Sequence, residues 1–428
     1  MASGGIGGSG SSLGGATGGS AGAQALSCTP NEATCDGNQT LTTCAANGLS
    51  STSKPCDTNA TCTGSVGSAA CVCNPGYSGN GLSCAVTLCL ENQRVQDKKC
   101  VPCGTGIPNA AGDDASGPNT TCGPPSCKGL AVDCGASENC CTSPTVTGSP
   151  TAFKRDNNAI YPATVSSFRL DKFEVTVGRF RKFVDAVVLK QWSPVAGSGR
   201  HTHLNNGAGL ANSTGGGNEP GWDASWSDVN LPPVKKTWDG ASYLGCNTGY
   251  QTWTEDSGPN ETKPINCVNW YQAAAFCIWD GGFLPSEAEW NYAAAGGDQQ
   301  RNRPWSDPFD STTIDCTYAN YFGASGGTDF CVKPGTGSTS VVGSVSPRGN
   351  GRYGQADLAG NVWEWNLDWY GNYAATCNNC ANTVVASGRT NRGGMFGDLE
   401  ANNRSSTRNA SPPTLNNFNV GLRCARTP

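Results

Sequence analysis

Residues 353–365 read YGQADLAGNVWEW, and this stretch decides how the rest of the chain is read. Asp357 and Glu364 bring two hard carboxylates to one short segment, and between them Gly360 lets the backbone turn so that its carbonyls face inward. Oxygen donors gathered by a short loop suit calcium. The plainer reading, that the two carboxylates cap backbone amides, stands beside it. Working outward, Thr176 can cap a helix in which Val177, Phe180, Phe183, Val184, Val187 and Val188 recur at three and four residues. Its Arg179, Arg181, Lys182 and Asp185 are expected to face out. A second helix is expected from Asn269, burying Trp270, Ala273, Ala274, Cys277 and Ile278. A third starts at Ser286, where Glu289 completes a capping box, and stops at Gly296-Gly297. The remainder is short runs broken by Gly, Asn and Pro, which predicts an α+β domain with much irregular structure.

Charged residues make up 14% of the 428, with 28 basic against 33 acidic side chains and a net charge of -5. Neither sign dominates, which excludes the basic footprint of a nucleic-acid binder and a polybasic membrane patch. No run of about 18 apolar residues is present to form a transmembrane span. Of the 24 cysteines, 16 lie between Cys28 and Cys141. Such a set favours disulfides in an oxidising compartment, extracellular or at the cell surface, over a metal cluster. Cys89, Cys100, Cys103 and Cys122, and Cys377-x-x-Cys380, are expected in structural bridges. Three regions follow: a Gly/Ser-rich tether at 1–27, a cysteine-rich region at 28–126 and a globular domain at 127–428. The tether has the composition of a flexible linker, such as would follow a lipid anchor.

From Cys56 the sequence CDTNATCTGSVGSAACVCNPGYSGNGLSC resembles an EGF-like module with a core at 44–84. That resemblance implies bridges Cys44–Cys62, Cys56–Cys71 and Cys73–Cys84. Small modules of this kind are held by their bridges for want of a core.

Five ordered segments carry a second resemblance: FRLDKFEVTVGRFRKFV (168–184), PINCVNWYQAAAFCIWDGGFLPSEAEWNYAAAGG (264–297), YGQADLAGNVWEW, RGG (392–394) and VGLRCAR (420–426). They are similar to the formylglycine-generating enzymes, or sulfatase-modifying factors. The resemblance implies a C-type-lectin-like variant fold, a bridge between Cys277 and Cys424, and loss as a unit of a second bridge at Ala293–Ala295 and Ser405. It also implies a structural calcium held by the Asp357 side chain, the Gly360 and Val362 carbonyls and the Glu364 side chain, with Asn361, Trp363 and Trp365 in the core. A second calcium site would begin at Asn320 and the Tyr321 carbonyl; its other half, an Asp-Gly-aromatic element, is not clearly present, although Asp329-Phe330 lies nearby.

Enzymes of that family oxidise a substrate cysteine with copper held by two cysteines after the Arg-Gly-Gly motif. Here RGGMFGDLEANNRSSTRNAS puts Asp398 and Asn403 at those positions. Neither can replace a thiolate on cuprous ion, so no copper is expected. The related iron-dependent sulfoxide synthases use three histidines, whereas only His201 and His203 exist, in a loop read as solvent-exposed. The expectation is therefore a non-catalytic recognition protein whose cleft, lined by Asp398, Glu400, Asn402, Arg404 and Arg408, takes a carbohydrate or an extracellular protein. An enzyme of divergent oxidative chemistry and a structural envelope protein are the alternatives.

Overall fold

The structure, a computed structural model, describes residues 27–87, 89, 93–102, 116, 123–127, 133–134, 138–190, 192–323 and 328–428. The tether and the expected bridging of Cys103 and Cys122 lie outside the described residues. The chain divides into two compact units, Met1–Thr87 with Asp114–Gly117, and Leu88–Asp113 with Pro118–Pro428. Side-chain contacts draw the later cysteine segment into the larger unit: Ser126 donates its amide to Asp280, and Arg179 donates to the Ser126 hydroxyl.

In the smaller unit three strands, Ala33–Asp36, Thr40–Cys44 and Ser51–Pro55, form an antiparallel sheet, followed by the hairpins Ala60–Thr63 with Ala70–Cys73 and Tyr77–Gly79 with Cys84–Val86. Its small buried cluster is Cys56, Ala60, Cys62 and Cys71, so bridges replace a core. Cys56 pairs with Cys71 and Cys73 with Cys84. Cys44 does not join Cys62, as the resemblance implied; it joins Cys28, and Cys62 joins Cys35. The reason is the docking of Cys62, whose amide donates to the Asn38 carbonyl in the turn just after Cys35. Cys44 meanwhile pairs across the sheet with Ser51 at the other end of its strand. Gly81, at φ +81°, has no alternative residue, because a Cβ there would meet the Cys71 carbonyl oxygen at 1.9 Å.

The larger unit is mixed α and β with many disulfides. Its helices are Val177–Lys190, Trp270–Trp279 and Glu287–Ala294, with shorter turns between. Asn269 and Gln272 form one complete capping box, and Ser286 and Glu289 another. Phe180, Phe183, Trp238, Trp270, Phe276 and Trp365 lie in the main core. Four strands run in the order Arg408–Ser411, Arg389–Arg392, Trp363–Trp369 and Val420–Gly421. The first two contacts are antiparallel and the last is parallel. A second sheet places Phe168–Leu170 between Thr145–Val146 and Ala425–Arg426, which returns the C-terminus to the start of the unit. Cys277 and Cys424 are bonded across 147 residues. The local bridge Cys377–Cys380 forms, as do Cys246–Cys267 and Cys316–Cys331.

Arg179 corrects its expected outward position. It is fully buried and donates to Asp171 at 3.0 Å and Asp280 at 2.6 Å, while Arg426 donates to the same two carboxylates. Two charges of each sign thus neutralise one another out of water, the arrangement that burial of charge requires.

Candidate functional site

The Asp357–Glu364 segment is turned by three left-handed residues, Asp357 at φ 55°, Gly360 at φ 84° and Asn361 at φ 65°. Gly360 approaches Asn320 so closely that a Cβ would sit 2.4 Å from its carbonyl oxygen. Asn361 ties the loop in place: its Oδ1 accepts from the Ser340 amide, and its Nδ2 donates to Glu174 at 2.6 Å. Trp363 and Trp365 are buried beside it.

Glu174, which the sequence reading missed, accepts the Val362 amide at 3.2 Å. Its sequence signal is a lone carboxylate in the apolar run Phe173 to Val175. Burial, with Asp357 and Glu364 nearby, holds Glu174 well above the usual carboxylate range. Burial likewise lifts Asp357 to about 6, although the Gly343 amide and Arg423 pull the other way. Arg423 is a guanidinium that acts on all three carboxylates. It clamps Glu364 with Nε at 2.7 Å and Nη2 at 2.6 Å, and Trp290 Nε1 adds a third donor to that carboxylate. Three buried carboxylates against one guanidinium leave an excess of negative charge, and the Oδ1 of Asn320 is a buried acceptor with no donor. A hard cation fits this donor set. Glu364 is already committed to three donors, so the spare oxygen capacity lies with Asp357, Glu174 and the loop backbone. Among the described residues no three His, Cys, Asp or Glu side chains converge on a metal position by themselves. A cation here therefore needs backbone carbonyls such as those of Gly360 and Val362.

The second expected position is built differently. Asn320 Nδ2 donates to the Ser338 carbonyl and to Asn361, and the Tyr321 carbonyl accepts the Cys331 amide at 3.1 Å. Cys316–Cys331 closes this loop covalently.

After Gly393-Gly394 the chain forms a tightly bonded platform. The Asp398 carboxylate accepts the Met395 amide, and the Asp398 amide returns to the Met395 carbonyl. Arg303 Nη1 donates to the carbonyls of Glu400 and Asn403. Burial raises Asp398, partly offset by Asn402 and the Met395 amide. Glu400 and Arg404 point to solvent, Asn402 is half-buried and Asn403 is buried. Ser405 donates to the Ala294 carbonyl at 2.9 Å, a hydrogen bond where the related chains are expected to carry a bridge.

Arg408 does not join this group. It forks onto Glu287 through Nε at 2.6 Å and Nη2 at 2.7 Å and stacks over Tyr373, in a cluster with Arg392 and Asp156. Burial alone would raise Glu287, but Arg392 and Arg408 override it and hold it low. Arg408 is thus a packing cation, and the expected cleft is reduced to Asp398, Glu400, Asn402 and Arg404. No cysteine occurs between Cys380 and Cys424, and the described cysteines are all paired.

His201 also departs from its expected place in solvent. It is fully buried, with Nδ1 3.0 Å from Glu219 and Nε2 3.0 Å from Glu289. Burial would depress it, but the two carboxylates lift it to about 10. The Glu289 that caps its own helix therefore also anchors a loop 88 residues away.

A family model described as a sulfatase-modifying factor enzyme 1-like domain matches residues 142–428, and an EGF domain model matches residues 50–84. The chain is 27% identical over 283 residues to the formylglycine-generating enzyme of Mus musculus, covering 61% of this chain and 66% of that protein. It is 27% identical over 275 residues to the inactive C-alpha-formylglycine-generating enzyme 2 of Mus musculus, covering 61% and 76%. The alignment to the formylglycine-generating enzyme of Bos taurus, 30% identical, covers 40% of this chain and 48% of that protein. The chain thus spans about half to two thirds of the length of these two formylglycine-generating enzymes. Among solved structures, the Treponema denticola variable protein 1 aligns at 20% identity and a TM-score of 0.40, covering 67% of this chain and 95% of that one.

Proposed function

The chain belongs to the sulfatase-modifying factor enzyme 1-like family through residues 142–428, and from that membership we propose that it is a non-catalytic recognition protein, exported and displayed at the cell surface. One observation carries the reading. Where copper-dependent relatives are expected to place two thiolates, this chain has Asp398 and Asn403, and its described cysteines are spent in disulfides. Carboxylate and amide oxygens do not hold cuprous ion. The many bridges and the EGF-like module fit an oxidising extracellular setting.

In this reading calcium stiffens a C-type-lectin-like domain through Asp357, the Gly360 and Val362 carbonyls, and Glu174, with Glu364 holding Arg423 beside them. Bound there, the ion would neutralise the excess negative charge. The platform after Gly394 presents Glu400 and Arg404 outward on a backbone pinned by Arg303, which limits the ordering entropy lost on binding. Charged and amide groups of this kind suit a carbohydrate or an extracellular protein.

The test is a glycan and envelope-polysaccharide array probed with the oxidised protein, in calcium and then in chelator. Chelator-sensitive binding to a related set of sugars, lost in Asp398→Ala and Arg404→Ala, supports the reading. Absence of binding in both conditions, with copper-free protein converting a cysteine peptide to an aldehyde, overturns it.

A further inference from the structure

Away from that platform, a cavity opens between the Trp270–Trp279 helix, the Trp363–Trp369 strand and the segment from Ser198 to Trp226. It encloses about 130 Å³ of space and opens to solvent on one side. Its walls are carbon. Trp222 and Trp270 line it, but their indole N–H groups are spent on Ser227 and on the Asn366 carbonyl, so ring surface is what they offer. Ile278 and Leu284 complete the apolar side, and the strongly exposed Val385 stands at the rim.

One cation is built into this lining. The Arg389 guanidinium lies between two indoles, 3.7 Å from the ring centre of Trp270 and 3.9 Å from that of Trp369. Arg389 is 6% exposed, and its Nε is a buried donor with no acceptor. Its Nη1 donates to the Leu367 carbonyl. Among the described residues no carboxylate bonds to it: Asp368 gives its oxygens to the Glu287 and Asn382 amides. Glu219, also in the lining, is matched by His201. Burial, only partly offset by Tyr271 and Asp368, pushes Arg389 down to about 9. Of the other fully buried arginines, Arg179, Arg392, Arg423 and Arg426 each hold a carboxylate, whereas Arg303 is held by backbone carbonyls. A buried guanidinium donor without an acceptor, on a side chain that lines an apolar cavity, is costly unless something completes it.

We infer that this cavity binds a small amphipathic monocarboxylate, its carboxylate paired with the Arg389 guanidinium and its apolar body against Trp222, Trp270 and Ile278. A planar, two-oxygen anion matches a fork held edge-on between stacked rings. A single negative charge matches the single cation; a phosphate dianion would bring a second charge into an apolar space with nothing to pair it. The inference is independent of the recognition reading above, because it uses none of the residues after Gly394.

Calorimetry and tryptophan fluorescence on the full chain test it, with 2-naphthoate and decanoate as flat and linear carboxylates and 2-naphthamide as the neutral counterpart. At least one carboxylate binds saturably, and 2-naphthamide binds about tenfold or more weakly than 2-naphthoate, the loss expected for a charge-assisted pair. Arg389→Gln removes the preference for the acid. Because that change also disturbs the indole stack, Ile278→Trp, which fills the cavity without touching Arg389, is the second variant: it keeps the unfolding midpoint and loses binding of both carboxylates. Equal binding of acid and amide, unchanged binding in a folded Ile278→Trp, or no saturable binding of either carboxylate below about 1 mM overturns the inference.

Discussion

Glu174 accepts the backbone amide of Val362 at 3.2 Å, which sets a third buried carboxylate beside Asp357 and Glu364 with Arg423 as their shared cation. The pH behaviour follows from the sign of the shift. Asp357 titrates at about 6 in the fold against an ordinary 3.8. A carboxylate raised on folding contributes stability that is full below pH 3.8 and lost as pH rises through about 6. Metal-free protein therefore loses this contribution at neutral pH, and calcium, as proposed for this loop, is expected to restore it. Scanning calorimetry is expected to show calcium raising the unfolding midpoint by several degrees at pH 7.5 and leaving it unchanged at pH 4. Glu174→Gln is expected to stabilise the metal-free protein at pH 7.5 and to shrink the calcium effect.

The histidine triad predicts a second pH dependence, at the alkaline end. His201, lifted from 6.5 to about 10 by Glu219 and Glu289, contributes stability that is full below about pH 6.5 and lost as pH rises through 10. The unfolding midpoint of the wild type should fall more steeply between pH 8 and pH 10 than that of His201→Gln, which has no proton to lose. Parallel slopes would remove the charge from the argument.

What could be read from the sequence was local. The Ser286–Glu289 capping box lies within one turn, and the start at Asn269 needs only Gln272 three residues on, so both helix starts were legible. The Asp357–Glu364 loop was legible for the same reason. Arg179, His201 and Glu174 were not, because burial of a charge is decided by partners far along the chain: Asp280 is 101 residues from Arg179, Glu289 is 88 from His201, and Asn361 is 187 from Glu174. Arg408 misled for a related reason. Its proximity to Arg404 in sequence suggested one cleft, yet strand alternation and Glu287 turn it elsewhere. In the small unit, cysteine spacing alone left Cys28 and Cys35 unassigned, and only the docking of Cys62 on Asn38 decides the pairing.

Disulfide removal should separate long from short loops. Cys277–Cys424 closes 147 residues and Cys377–Cys380 only three. In the chain-entropy account the first is worth about 5 kcal/mol and the second about 2 kcal/mol. For a domain of this size the first corresponds to roughly 10 °C or more in the unfolding midpoint. The paired serine variants, compared by thermal unfolding under oxidising conditions, should therefore differ at least twofold in their loss.

Arg408 and Arg404 provide the test that separates architecture from recognition. Arg408 is largely buried and forks onto Glu287, which is almost fully buried. Arg408→Ala leaves that carboxylate with Arg392 alone and should cost about 2 to 3 kcal/mol, less than a fully orphaned buried charge because Arg392 remains. Arg404 lies at the surface and accepts the Thr407 amide through its backbone carbonyl, so Arg404→Ala should change stability by no more than about 0.5 kcal/mol. Denaturant unfolding measures both. If Arg404→Ala then abolishes ligand binding at unchanged stability while Arg408→Lys, which keeps the charge but loses the fork, weakens only stability, the recognition surface is the platform after Gly394 and not the Glu287 cluster. The reverse pattern, binding lost in a stable Arg408→Lys and kept in Arg404→Ala, would move the surface to the other side of the Arg408–Ser411 strand.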